Sequence, residues 1–157
     1  MNRKKWKRIA FILFLVLLFL FAAMYVFNSL GEAKGRDYYE KTGEIIWDIK
    51  TNEKVVALTF DGGPHPKYTE QILDLLEQYE AKGTFFIVGQ LAEKSPELVL
   101  RMHESGHEIA NHTYTHPYTK SVSPIMEEVN QTSDTIFSIT GTKPNLFRPV
   151  EGYYTDE

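Results

Sequence analysis

Four short apolar runs alternate with stretches of helical spacing, and this alternation limits the folds open to the chain most strongly. The runs are residues 55–60, 84–88, 107–111 and 146–148. Between the first two, apolar residues recur at i, i+3, i+4 and i+7, namely Ile72, Leu75, Leu76 and Tyr79. Ser-Pro pairs at 95–96 and 123–124 are typical of helix starts. The pattern predicts an α/β fold of βα units around a parallel sheet, either open or closed into a barrel.

An apolar stretch of 19 residues, 9–27, precedes this pattern. As a helix it would be about 30 Å long, which matches the hydrocarbon core of a bilayer. The five basic residues before it should stay in the cytoplasm, because positive charge favours that side. A signal peptide cleaved near residues 31–33 is the alternative, but the length favours an uncleaved anchor.

We therefore predict a single-pass protein of the cell membrane, with its N-terminus cytoplasmic and its domain extracytoplasmic. The expected order is a cytoplasmic segment at 1–8, a transmembrane helix at 9–30, a stalk and hairpin at 31–53, and the domain at 54–157. The chain has no cysteine, so metal ligands must come from His, Asp and Glu. The chain after residue 8 contains 12 Lys and Arg residues and 21 Asp and Glu residues, so it is acidic. No basic cluster remains there, which argues against nucleic-acid binding.

The first candidate site residue is Asp61, where the first apolar run meets Gly62-Gly63-Pro64. Such a run predicts a strand buried on both faces, and Gly-Gly-Pro is expected to end it. Asp61 would then stand at the carboxyl end of the strand, where catalytic groups gather in parallel α/β proteins. The alternative is an ordinary turn residue, since Asp before Gly is common in turns.

Three further candidates follow later strands. His112 and His116 are four residues apart and would share one face of a helical turn, as two ligands of one metal ion require. Surface or hydrogen-bonded histidines are the alternative. Arg148 ends the last run, and its guanidinium could hold Asp61 ionised or make only a surface salt bridge. Because all these positions follow strands, we expect them at one rim of the sheet.

Taken in order, the three segments resemble motifs of the polysaccharide deacetylases of carbohydrate esterase family 4. The NodB-homology domain of that family opens with T-F-D-D-G-P, and residues 59–64 read T-F-D-G-G-P. Residues 112–116 meet the family pattern H-[ST]-x-x-H in full, and residues 148–152 meet R-x-P-x-G loosely. The resemblance covers roughly residues 54–157.

The resemblance implies a distorted (β/α) barrel and metal-dependent removal of acetyl groups from N-acetylated polysaccharides such as peptidoglycan or chitin-like oligomers. It implies that His112 and His116 bind a divalent metal, with zinc expected. By the same resemblance, Asp61 is the general base and Arg148 orients it. Backbone N–H groups of residues 148–152 would help to hold the oxyanion.

Two departures from the family leave activity open. Gly62 stands where the family has a second aspartate that completes a His-His-Asp metal site. The later family motifs, an acidic-Trp segment and a Leu-x-His that supplies the general acid, have no counterpart. Residues 155–157 also look like a helix start, so we expect an incomplete, truncated barrel. The alternatives to an active deacetylase are an inactive remnant, a saccharide-binding pseudoenzyme, or a tethered structural domain.

Overall fold

The structure is a computed structural model that describes residues 3–31, 35–118 and 121–152. The described chain forms two compact units that divide after Lys50. The first unit holds two helices, α1 (Arg3–Gly31) and α2 (Arg36–Thr42). The second unit contains β1 (Thr59–Gly63), α3 (Pro66–Gln78), β2 (Thr84–Ile87), α4 (Gly89–Lys94), α5 (Pro96–Glu104), β3 (Glu108–Asn111), α6 (Val122–Thr140) and a 3-10 turn (Val150–Gly152).

The strands of the second unit form a parallel sheet in the order β1-β2-β3. Phe147 continues the sheet beside β3 through a parallel bridge to Asn111. The predicted alternation of strands and helices around a parallel sheet is therefore confirmed. Within the described residues the sheet is open, so the barrel expected from the family is present only in part.

The core lies where the helices pack on the central strand. Buried side chains of β2, α3, α5 and α6 form one cluster that includes Leu73, Ile87, Met102 and Ile136. Helix α3 begins directly after β1, because Pro66 is at its first turn and His65 Nδ1 accepts hydrogen bonds from the first backbone N–H groups of the helix. Side chains of the central strand and of these helices thus share one core.

The start of the sheet differs from the prediction. No strand or hairpin forms among residues 44–58, all of which the structure describes, and β1 begins at Thr59 rather than residue 55. The first ladder bond runs from Thr84 N to Leu58 O at 2.9 Å, and Val56 before it is 85% exposed. Apolar residues form a strand only where a neighbouring strand can pair with them. The first residue of β2, Thr84, pairs with Thr59, so residues 55–57 have no partner in β2.

One other expectation was wrong in detail. Gly62 and Gly63 do not end β1 but belong to it, since Gly62 has a φ of +85° and lies where the register of β1 with β2 shifts. A glycine at this φ lets the strand continue through a bulge. Helix α2 lies within the segment predicted to be a stalk, and the stalk stays a prediction.

The N-terminal helix α1 is continuous through the segment expected to be an anchor. Over the residues that the structure describes, no helix is both long enough and apolar enough to cross a membrane. The transmembrane helix, the orientation and the cell location therefore stay predictions.

Candidate active site

The carboxyl edge of the sheet brings together three of the residues singled out in the sequence. Asp61 lies in β1 opposite Phe86 of β2, and His112 directly follows β3. Arg148 follows the bridge residue Phe147. Because parallel strands present their carboxyl ends at one edge, the predicted meeting of these residues at one rim is confirmed.

The side chain of Arg148 holds Asp61. Its Nη1 donates to Asp61 Oδ1 at 2.6 Å and to Thr59 Oγ1 at 3.2 Å. Its Cζ lies 3.9 Å from the centre of the Phe86 ring, so the guanidinium rests on an aromatic face. Both ends of the ion pair are more than one third exposed, and such pairs add little stability. The contact therefore adds little stability, although it holds Asp61 Oδ1 against the guanidinium.

The backbone of Arg148 holds His112. Arg148 N donates to Asn111 O at 3.0 Å, and Arg148 O lies 2.8 Å from His112 Nδ1. A carbonyl oxygen only accepts, so Nδ1 carries a proton and donates it. In the neutral imidazole this leaves the lone pair on Nε2, which is the form that binds a metal.

Burial keeps His112 in that neutral form. The residue is 3% exposed, and this desolvation lowers its pKa below the usual value. Its hydrogen bond to Arg148 and the nearby charge of Asp61 act in the opposite direction but are weaker. A neutral imidazole at neutral pH is what a metal ligand needs.

The second histidine of the motif reaches the first through a loop. The ring centres of His112 and His116 are 5.0 Å apart, with the ring planes inclined by 66°. The helical turn expected here was wrong, because residues 112–116 are not helical and both Thr113 and His116 have positive φ, at 69° and 60°. The rings therefore lie close together through a loop with two left-handed residues and not through helical spacing.

This pair suits a divalent metal, although its ligand set is short. Two imidazoles on one tetrahedral zinc, at Zn–N distances of about 2.0 Å, have ring centres about 5 Å apart. Within the part of the chain that the structure describes, no three His, Asp or Glu side chains come together as a metal site. Gly62 contributes no ligand, but a Cβ built on it would have no atom within 4 Å. The space for a third side chain is therefore open.

The turn after Arg148 narrows the predicted oxyanion contacts. Arg148 N is bonded to Asn111 O, and Gly152 N donates to Pro149 O at 3.1 Å. Proline has no N–H to offer. Among the backbone groups of residues 148–152, only those of Val150 and Glu151 are left for that role.

Sequence reasoning missed two residues that shape the rim, Thr59 and Phe86. Thr59 is the first residue of the T-F-D motif and accepts a hydrogen bond from Arg148. Phe86 supports the guanidinium because it is the register partner of Asp61. The motif pointed to Thr59, whereas Phe86 depends on a strand register that the sequence does not reveal.

Comparison with known proteins agrees with this geometry. Residues 48–157 match the family model for polysaccharide deacetylases. The chain is 44% identical over 123 residues to a peptidoglycan-N-acetylglucosamine deacetylase of Bacillus cereus, which covers 77% of this chain and 57% of that protein.

Solved structures give the same answer. The peptidoglycan deacetylase PdaC from Bacillus subtilis matches with a TM-score of 0.65 and 42% identity, over 69% of this chain and 55% of that one. A mutant CE4 family pseudoenzyme with restored enzymatic activity matches with a TM-score of 0.61 and 31% identity. The match covers 67% of this chain and 39% of that one. The chain thus spans between 39% and 57% of the length of these relatives. On the family match and these similarities together, the chain belongs to the polysaccharide deacetylase family.

Proposed function

We propose that this protein hydrolyses acetamide groups of an N-acetylated polysaccharide at the carboxyl edge of its sheet. The observation that carries the proposal is Arg148, which binds Asp61 through its side chain and His112 through its backbone. Water would add to the acetyl carbon and the C–N bond would break, giving acetate and a free amine. Peptidoglycan is the favoured substrate, because the similar proteins from two Bacillus species are named for it.

We assign roles to four side chains. His112 and His116 would hold a divalent metal, with zinc favoured by the imidazole ligands. When bound, the metal would polarise the amide carbonyl and a water molecule. Asp61 would accept the proton of that water as general base. Its Oδ1 accepts a hydrogen bond from Arg148, whereas Oδ2 accepts none from the described residues. Oδ2 is therefore left to take the proton.

Gly62 favours a second candidate, a domain that binds saccharide without hydrolysing it. Catalytic zinc sites use three protein ligands, and residue 62 cannot supply one. One of the similar solved structures is a mutant of a pseudoenzyme, so inactive members occur in the family. This candidate keeps the same substrate class but predicts binding without acetate release.

Acetate release from N-acetylated chitooligosaccharides and peptidoglycan fragments separates the two candidates. The deacetylase proposal predicts release that needs added zinc, is lost in Asp61→Asn and is kept in Asp74→Asn, a control on the exposed face of α3. Saccharide binding without release would support the second candidate. Neither binding nor release, even in Gly62→Asp, would reject both.

We also propose that α1 anchors the protein in a membrane, with the second unit outside the cytoplasm. The described side chains of α1 from Phe11 to Tyr25 are apolar and exposed. Because the chain has no cysteine, single cysteines report topology cleanly. In intact cells an impermeant maleimide should label Ser123→Cys and not Asn2→Cys. Labelling of both or of neither before lysis would contradict the proposal.

A further inference from the structure

A single carboxylate on α6 holds the loop between the two candidate metal ligands. Glu128 Oε2 accepts hydrogen bonds from the backbone N–H groups of Tyr114 at 2.7 Å and Thr115 at 2.5 Å. Its Oε1 accepts from Thr115 Oγ1 at 2.9 Å. Three donors from two consecutive residues thus converge on one side chain.

The loop needs such support because its backbone is unusual. Thr113 and His116, which flank Tyr114 and Thr115, both have left-handed φ values that residues other than glycine rarely adopt. Charge-assisted hydrogen bonds to a carboxylate are among the stronger ones available to a backbone N–H. Glu128 therefore stabilises a loop conformation that threonine and histidine at residues 113 and 116 would otherwise disfavour.

The opposite side of the same loop is held by α4. The carbonyl oxygens of Thr113 and Tyr114 accept from Gly89 N at 3.0 Å and Gln90 N at 3.1 Å. A Cβ on Gly89 would lie 2.5 Å from Tyr114 Cδ2, so the helix and the loop approach as closely as glycine permits. On the N–H side, Asn111 Oδ1 accepts from Thr113 N at 2.9 Å, and the N–H groups of Tyr114 and Thr115 are left to Glu128.

His116 depends on this loop more than His112 does. His112 follows a strand and is bonded to Arg148 O. Among the described residues, the His116 ring lies against two other rings, those of His112 and Tyr118. The position of His116 is thus set by the path of the backbone that precedes it.

We propose that Glu128 is a positioning residue that fixes the chain between His112 and His116, so that both imidazoles can bind one divalent cation. It contacts the loop backbone and acts on the metal only through the histidines. This inference rests on the proposed metal-binding role of the pair. Glu127 is the matched control, because it is an adjacent, exposed carboxylate of the same helix that makes no hydrogen bond to the described part of the loop.

The test is zinc affinity of the full chain, measured by titration in the wild type and in the Gly62→Asp background. We expect Glu128→Ala to weaken zinc binding by about 10- to 100-fold, as is typical when a group that orients a metal ligand is removed. Glu128→Gln should lose less, because its carbonyl oxygen can still accept both N–H groups. Glu127→Ala should match its parent.

Amide hydrogen exchange in the zinc-free protein gives a second readout. Glu128→Ala should speed exchange at Tyr114 and Thr115, while the amide of His112, bonded to Ile87 O at 2.9 Å, stays protected and shows that the sheet is intact. Unchanged zinc affinity in Glu128→Ala, or an equal loss in Glu127→Ala, would overturn the inference. If neither background binds zinc, both the inference about Glu128 and the metal role of the histidine pair fail. If both backgrounds bind zinc and Glu128→Ala does not weaken the binding, only the inference about Glu128 fails.

Discussion

Replacing Gly62 with aspartate should cost the zinc-free protein stability and yet make it a stronger zinc binder. A side chain there meets no atom within 4 Å of its Cβ, so the cost lies in the backbone. A residue other than glycine at the φ of +85° costs roughly 1–2 kcal/mol, with Asp near the lower end. For a unit of this size, about 1 kcal/mol lowers the Tm by about 4–8 °C.

Zinc should more than reverse that loss. A ligand at 100 times its Kd adds about 2.7 kcal/mol to the folded state, which is roughly 10–20 °C in Tm. Gly62→Asp completes a set of three protein ligands, so zinc should raise its Tm by about that amount. The wild type, with two imidazoles, should gain less at the same zinc concentration.

Thermal unfolding with zinc and with a chelator measures both effects. Gly62→Asn is the control, because it carries the same backbone cost and a poorer ligand for zinc. If zinc raises the Tm of Gly62→Asp no more than that of Gly62→Asn or the wild type, residue 62 does not face the histidine pair and the reasoning is refuted.

Two further predictions concern Arg148 and His107. Arg148→Gln should reduce acetate release sharply, because Asp61 loses its ion-pair partner. It should change the free energy of unfolding by less than about 1 kcal/mol, because the ion pair is partly exposed. A large loss of stability with activity retained would contradict this prediction. Burial, with Lys82 and Arg101 nearby, lowers the pKa of His107, whose Nδ1 accepts from Gly83 N. Since the unfolded state then binds the proton more readily, the stability from neutral His107 is complete above pH ~6.5 and is lost as pH falls below it. His107→Gln should flatten that pH dependence of the Tm, and an equally steep curve in the variant would refute the assignment.

The rim of the site could be predicted from the sequence because it follows from local pattern and one topological rule. Apolar runs that end at Asp61, His112 and Arg148 indicated strands, and parallel strands share one carboxyl edge. The pairing of Arg148 with Asp61 was suggested by their opposite charges, but adjacency does not explain it, because β2 and β3 lie between β1 and Phe147 in the sheet. The structure adds that the same arginine also fixes the tautomer of His112 through its carbonyl.

The parts that could not be predicted depend on contacts between distant residues. Where β1 begins is decided by the start of β2, since Leu58 O pairs with Thr84 N. The spacing of the histidines fits a helix as well as a loop, and the loop backbone is bonded to Glu128, 14 residues beyond Tyr114. Local spacing contains neither fact, so a helical turn was the natural but wrong expectation.

The most direct test of the account is the zinc content of the full chain after equilibrium dialysis against saturating zinc. We predict one zinc per chain, lost when His112 and His116 are both replaced by alanine and kept in His103→Ala, a histidine of α5 outside the candidate site. The same zinc content in the double variant and the wild type, or no zinc in the wild type, would contradict the claim that this edge of the sheet is a metal-dependent active site.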